Sequence, residues 1–287
     1  MRVPYARLSR SELDRQLSPS LSAKAFEAVL SRHATETAAL AGAGDLLRWP
    51  DVTYGPGARQ RYDVTAPRKG AGRPCLAFIH GGFWQEGSKD GSGFAARAFA
   101  RAGWAHAGLG YTLAPEAGLE QIIDEIAEAL RHLRSKAADY GIDPDRIVLA
   151  GHSAGAHLAA AILAGLGGED LPGALAGYVL ISGVYDLAPV AASYVNDALG
   201  LSPGDVERLS PLLYWPAAER PVHLVLGADE PEAFGRQSDA LAVLWGRKLR
   251  RISLARCPGR DHFDILDELA QEGSETWVRI QRMGQGN

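Results

Sequence analysis

Two cysteines, Cys75 and Cys257, are all that 287 residues contain. They are too few for a disulfide framework and are not spaced with other side chains as metal ligands would be. Cys75 falls in an apolar run, where a buried thiol is the ordinary reading. No apolar run approaches the length that spans a membrane. The opening residues, Met1-Arg2-Val3-Pro4-Tyr5-Ala6-Arg7, lack the apolar stretch of a secretory signal. A basic run is also missing: 30 Lys and Arg face 34 Asp and Glu, for a formal net charge of −4, which argues against nucleic acid as a partner. Internal repeats and low-complexity linkers are absent. These absences leave a globular chain expected in the cytoplasm, with no membrane partner. Its 46% hydrophobic and 22% charged residues are ordinary for that class, and its length permits a large core without covalent staples.

The elements alternate. Residues 1–45 are polar with helical spacing: Ser9-Arg10-Ser11-Glu12-Leu13 reads as a helix start, and 22–30 carries apolar residues three and four apart. This segment precedes any strand and is expected as a helical extension, either part of a lid over a site or a structural cap. Strands are expected at 51–54 and 60–64, joined by a hairpin turn at Gly55-Pro56-Gly57. Then follow a strand at 75–79, a helix at 94–102, a strand at 104–108 and a long amphipathic helix at 119–140 with Ile122, Ile126, Leu130 and Leu133 on one face. Further strands are expected at 147–150, 177–181, 222–226 and 252–254, with a helix at 234–246 and another at the C-terminus. Strands separated by helices predict a mostly parallel central sheet covered on both faces. Residues 1–287 are read as one domain, with 1–45 its N-terminal cap.

The strand at 147–150 runs into Gly151-His152-Ser153-Ala154-Gly155, and a small, helix-prone run follows. A G-x-S-x-G turn between strand and helix is the nucleophile elbow of an α/β-hydrolase, with Ser153 at the apex. Small flanking residues let strand and helix close around a strained serine. Serine needs a base, and the base needs an orienting acid, in the chain order Ser, acid, His. Of eight histidines, five precede Ser153. His157 is too near in sequence, and His223 lies inside a predicted strand before the candidate acids. That leaves His262, in a polar loop between the last strand and a helix. The acid belongs after the strand at 222–226, where Asp229 and Glu230 both qualify and spacing alone does not choose; Asp186 is a distant third. Oxyanion donors are expected from the Ala154 N–H and from the loop His80-Gly81-Gly82-Phe83-Trp84, through Gly82 and Phe83. His80 is read as bracing that loop. Trp84 is expected to bound the substrate site, with core packing beside the loop as the alternative.

With these residues in view, the chain resembles the kynurenine formamidases (arylformamidases) of the α/β-hydrolase fold, near the hormone-sensitive-lipase-like esterases. The resemblance covers nearly the whole chain. It is carried by His80-Gly81-Gly82-Phe83-Trp84, matching that family's HGGxW loop, and by Gly151-His152-Ser153-Ala154-Gly155-Ala156-His157-Leu158. Ser182-Gly183-Val184-Tyr185-Asp186-Leu187 and Asn196-Asp197 resemble the segment that covers the family's pocket. The family places its acid four residues before a phenylalanine followed, after one residue, by Arg-Gln-Ser. Phe234-Gly235-Arg236-Gln237-Ser238 therefore implies Glu230, where the family commonly has Asp. The resemblance implies hydrolysis of N-formyl-L-kynurenine to L-kynurenine and formate, a small-molecule substrate, and no cofactor or metal. A carboxylesterase or aryl-amidase acting on another small acyl substrate uses the same machinery. No motif sets the oligomeric state, and a homodimer is one arrangement open to it.

Overall fold

The computed structural model describes residues 8–286, so the reading of Met1–Arg7 lies outside the described residues. Helix α1 (Arg10–Gln16) starts at Ser9, whose Oγ accepts the Glu12 N–H while the Glu12 carboxylate accepts the Ser9 N–H at 2.7 Å. That reciprocal cap is written in the Ser-x-x-Glu spacing. Helix α2 (Phe26–Ala39) begins later than the spacing predicts. Residues 22–25 stay outside it because the Lys24 N–H is drawn to Asp261 Oδ2 at 3.0 Å rather than to a helical carbonyl.

Strands β1 (Leu46–Thr53) and β2 (Arg61–Pro67) form the predicted antiparallel pair. Pairing slips between Trp49 and Val52. There Pro50 has no N–H to offer and Asp51 adopts φ 52°. Next come β3 (Arg73–Ile79), α3 (Ala96–Arg101), β4 (Ala105–Leu109) and α4 (Leu119–Ser135). Helix α4 is shorter than predicted: its continuation, Ala137–Tyr140, tightens to a 3₁₀ turn and stops at Gly141, where φ is 65°. Strand β5 (Ile142–His152) leads to α5 (Ala154–Leu163), then β6 (Gly177–Ile181). Three short helices, α6 (Ala188–Ala191), α7 (Asn196–Leu199) and α8 (Pro203–Leu209), fill the stretch before β7 (Val222–Gly227). Helix α9 (Glu232–Trp245), β8 (Ile252–Cys257), α10 (Asp267–Ala270) and α11 (Glu275–Gly284) complete the described chain.

The sheet has eight strands in the order β1-β2-β4-β3-β5-β6-β7-β8. From β4 onward all neighbours are parallel. Side chains alternate across it. Cys75, Ala77 and Ile79 face a core shared with α4, α5 and α9. Leu76 and Phe78 face a second core shared with α3, α10 and α11. Ile122, Ile126, Leu130 and Leu133 of α4 are fully buried in the first, as their spacing predicts. Parallel strands covered on both faces place their C-terminal ends in one row, and the sequence motifs sit along that row.

Candidate active site

At the end of β5 the chain reverses at Ser153, whose φ is 55° and ψ −116°. Such a conformation costs a residue with a Cβ about 1–3 kcal/mol. It is held by the Ser153 N–H donating to the Ile181 carbonyl at 2.8 Å, which pins the turn to β6. The glycines around it are spatial requirements. A Cβ on Gly151 would strike the Gly155 carbonyl, and one on Gly155 would strike the carbonyls of Ile79 and His80.

The His80–Trp84 loop lies directly against the turn. A Cβ on Gly81 would sit 3.1 Å from the Ser153 Cβ. Gly82, at φ 104°, accepts the N–H groups of Gln85 and Glu86, each at 2.9 Å. Among the described residues, the N–H groups of Gly82, Phe83 and Ala154 find no acceptor. Unspent amides beside the Ser153 side chain suit a developing negative charge. His80 braces this loop: Nδ1–H donates to the Gly81 carbonyl at 2.8 Å. Its ring stacks on Tyr111 at 4.3 Å, and the Tyr111 hydroxyl donates to the His80 carbonyl at 3.1 Å. Burial pushes the His80 imidazole down to about 4, so it stays neutral.

Trp84 departs from the expectation. It is fully buried, meets His157 edge-on at 5.0 Å and lies outside the cavity wall, whereas Phe83 lines it. Successive left-handed residues, Phe83 at φ 46° and Trp84 at φ 60°, send the two rings to different surroundings. The indole packs beneath the loop, the alternative of the two placements expected for it.

Glu230 and His262 come together. The His262 Nδ1–H donates to Glu230 Oε2 at 2.8 Å, and both side chains are almost wholly shielded from solvent. Glu230 Oε1 accepts two more hydrogen bonds, from the Gly227 N–H and the Ser182 hydroxyl, each at 2.6 Å. Asp229 points outward instead and pairs with Lys24 Nζ at 2.7 Å. Asp186 accepts the Ala188 N–H at 3.0 Å, at the start of α6. Ser182, placed by resemblance only in the segment that covers the pocket, has an unforeseen part in holding Glu230. It is fully buried, with φ 51°, at the end of the strand paired with β7. That adjacency was the available signal, since a hydroxyl at the end of β6 must face the loop after β7. His152, set aside as a base by chain order, has another task. Its Nε2–H donates to the His262 carbonyl at 2.7 Å, and the rings lie 4.7 Å apart. Burial first, and the neighbouring His262 second, hold His152 well below the ordinary histidine value.

Ser153 and His262 open on one cavity of about 860 Å³. Phe26 and Leu30 of α2 form part of its wall, with Phe83, Tyr194 and Phe263. The N-terminal segment is tied down around it. Gln16 Oε1 accepts the Ala233 N–H at 3.0 Å, and the Arg32 guanidinium donates to both oxygens of Asp267 at 2.8 and 3.0 Å. Arg10 donates to Asp197 at 2.8 Å. Among the described residues, no helix is long and apolar enough to cross a membrane.

Known proteins resemble this chain in sequence and in fold. The family model described as BD-FAE matches residues 62–176. The kynurenine formamidase of Salmo salar is 29% identical over 276 residues, which are 91% of this chain and 92% of that protein. The kynurenine formamidase of Drosophila melanogaster is 30% identical over 239 residues, 78% of this chain and 77% of that one. Among solved structures, esterase B from Lactobacillus Rhamnosis is similar with a TM-score of 0.71 at 22% identity, covering 91% of this chain and 96% of that chain. The architecture is that of the α/β-hydrolases.

Proposed function

The chain belongs to the kynurenine formamidase family of α/β-hydrolases, and we propose that it hydrolyses an N-formyl aryl amide, N-formyl-L-kynurenine foremost, to the aryl amine and formate. Ser153 Oγ attacks the formyl carbon while His262 Nε2 takes the hydroxyl proton. Glu230 fixes the imidazole with Nδ1 protonated and offsets the charge it acquires. The N–H groups of Gly82, Phe83 and Ala154 receive the oxyanion, each contributing about 3 kcal/mol by the usual measure of such donors. Collapse of the tetrahedral intermediate expels the aryl amine, which leaves with the proton from His262. Water, deprotonated by the same imidazole, then attacks the formyl-enzyme and releases formate. Residues 1–45 act as the cap of this one domain.

The observation that carries this reading is His262, bonded to the buried Glu230 and opening on the same cavity as Ser153, with three unspent amides beside the serine. The test is spectroscopic conversion of formylkynurenine by the wild-type chain and by Ser153→Ala. Wild type converts it, and the variant loses at least about a thousandfold in kcat. Conversion left intact by Ser153→Ala would remove the serine from the mechanism.

A carboxylesterase is the second reading, favoured by a cavity of about 860 Å³, far more room than a formyl group occupies. Short p-nitrophenyl esters discriminate the two. Ester turnover without formamide turnover would establish the esterase.

A further inference from the structure

We propose that Arg59 and Glu86 form a recognition site for the zwitterionic, α-amino-acid end of the substrate, with the guanidinium receiving its carboxylate and Glu86 its ammonium group. This rests on the formamidase reading and specifies which aryl amides the site prefers. Both residues line the cavity that holds Ser153. Arg59 sits in the turn between β1 and β2, and its Nη1–H donates to the Gly87 carbonyl at 3.1 Å. That single anchor aims the guanidinium over the loop after Phe83 and leaves its other donors unspent.

Glu86 is the neighbour of that anchoring residue. Among the described residues, no cation lies within 4.0 Å of its carboxylate, and no carboxylate lies within that distance of Arg59. The carboxylates of this region are paired elsewhere: Lys89 binds Asp51 and Asp63 at 2.8 Å and Asp90 at 2.9 Å, and Arg48 lies 3.8 Å from Asp63. Asp90, the other carboxylate on the wall, is thereby compensated. One cation and one anion remain on the wall, both beside Gly87 yet not paired with each other. That is the arrangement a zwitterion completes, because each charge gains a partner and neither loses one. A neutral ester or anilide engages neither.

The placement also fits the chemistry. A Cβ on Gly87 would meet the Gly81 carbonyl at 2.9 Å, and one on Gly81 would meet the Ser153 Cβ at 3.1 Å. The charged pair is therefore separated from the nucleophile by the thickness of the loop between Gly81 and Gly87. An aryl ketone spans that gap, with its formamide at Ser153 and its amino-acid end at Arg59.

Calorimetric binding of L-kynurenine reads this recognition without any turnover. It is compared with 2-aminoacetophenone, the same aryl ketone lacking the amino-acid end. Wild type binds kynurenine the more tightly. Arg59→Met and Glu86→Gln each weaken kynurenine binding about tenfold, as loss of a charge-assisted contact does. Arg59→Lys restores part of it. Binding of 2-aminoacetophenone is the same in all four proteins, which controls for folding. Kynurenine bound equally by wild type and both neutral variants would overturn the proposal, as would equal affinity of wild type for the two ligands. A wild-type chain that binds kynurenine in this pattern but releases no formate from formylkynurenine would instead overturn the formamidase reading.

Discussion

The two sides of the cavity are held by different forces. On the side of the elbow and the His80–Trp84 loop, backbone packs on backbone. Gly151 and Gly155 allow β5, α5 and β3 to touch, Gly81 lies on Ser153, and neutral buried histidines brace the turns. On the side of the N-terminal segment, side chains reach across long stretches of sequence. Lys24 meets Asp229, Arg32 meets Asp267 and Arg10 meets Asp197, all at partly or fully exposed positions. The first kind of wall tolerates almost no added atom and is indifferent to salt. The second tolerates substitution and is screened by salt. The reacting groups thus sit in a rigid frame, and the part of the wall that meets substrate is fastened more lightly.

Acidification separates the two most strongly. His80, His106, His157 and His223 are each held near 4, in every case chiefly by burial, and His152 lies well below the ordinary value. A histidine with a depressed folded-state value binds its proton more readily when unfolded. Stability is therefore full above about pH 6.5 and falls as pH drops toward 4. On the order of 1 kcal/mol per histidine is lost by pH 5. The Arg32–Asp267 pair keeps its charges over that window, because Asp267 lies below the ordinary carboxylate range: burial would raise it, but bonds from His33 and Arg32 outweigh that. Urea midpoints at pH 7.5 and pH 5 measure the loss, and equal midpoints would remove the contrast between the walls.

Gly155→Ala is the next largest effect. Its methyl group meets the Ile79 and His80 carbonyls, so stability falls by about 3 kcal/mol, the upper range for overpacking. Chemical denaturation checks this, and a change within about 0.5 kcal/mol would show that the turn is softer than its packing implies.

Lys24→Met, on the other wall, has the smallest effect. The pair with Asp229 is exposed on both partners, so kcat/KM on formylkynurenine falls less than about threefold at low ionic strength. In 1 M salt, wild type and variant converge. A difference that survives high salt would make this tie structural rather than electrostatic.

The same contrast explains what the sequence discloses. The elbow, the glycines of the loop and the alternation of strands and helices are local patterns, since each is imposed by backbone geometry within a few residues. His262 followed from chain order together with the nearness of His157 to Ser153 and the place of His223 inside a strand. Spacing did not choose between Asp229 and Glu230, and only the family resemblance, counted back from Phe234, pointed to Glu230. Both follow β7, and only their orientation separates them, one toward Lys24 and the other toward His262. Ser182 reaches Glu230 across 48 positions, and Lys24 reaches Asp229 across 205. Such contacts leave no periodic trace. Trp84 shows a different failure: an aromatic residue beside a glycine turn is easy to place near a site, but two backbone angles decide where the ring goes. The short helices between β6 and β7 were missed because four to seven residues are too few to display a helical period.

The break in β1 has a consequence at the outer rim of the molecule. A sheet whose first strand were straight would present a continuous row of backbone donors and acceptors, a template on which a second chain could extend the ladder. Here Pro50 removes one donor from that row, and Asp51 turns its own N–H inward to the Asp63 carboxylate at 2.8 Å. The row is interrupted at its middle, so strand-by-strand growth from this rim is blocked by the same two residues that bend the hairpin.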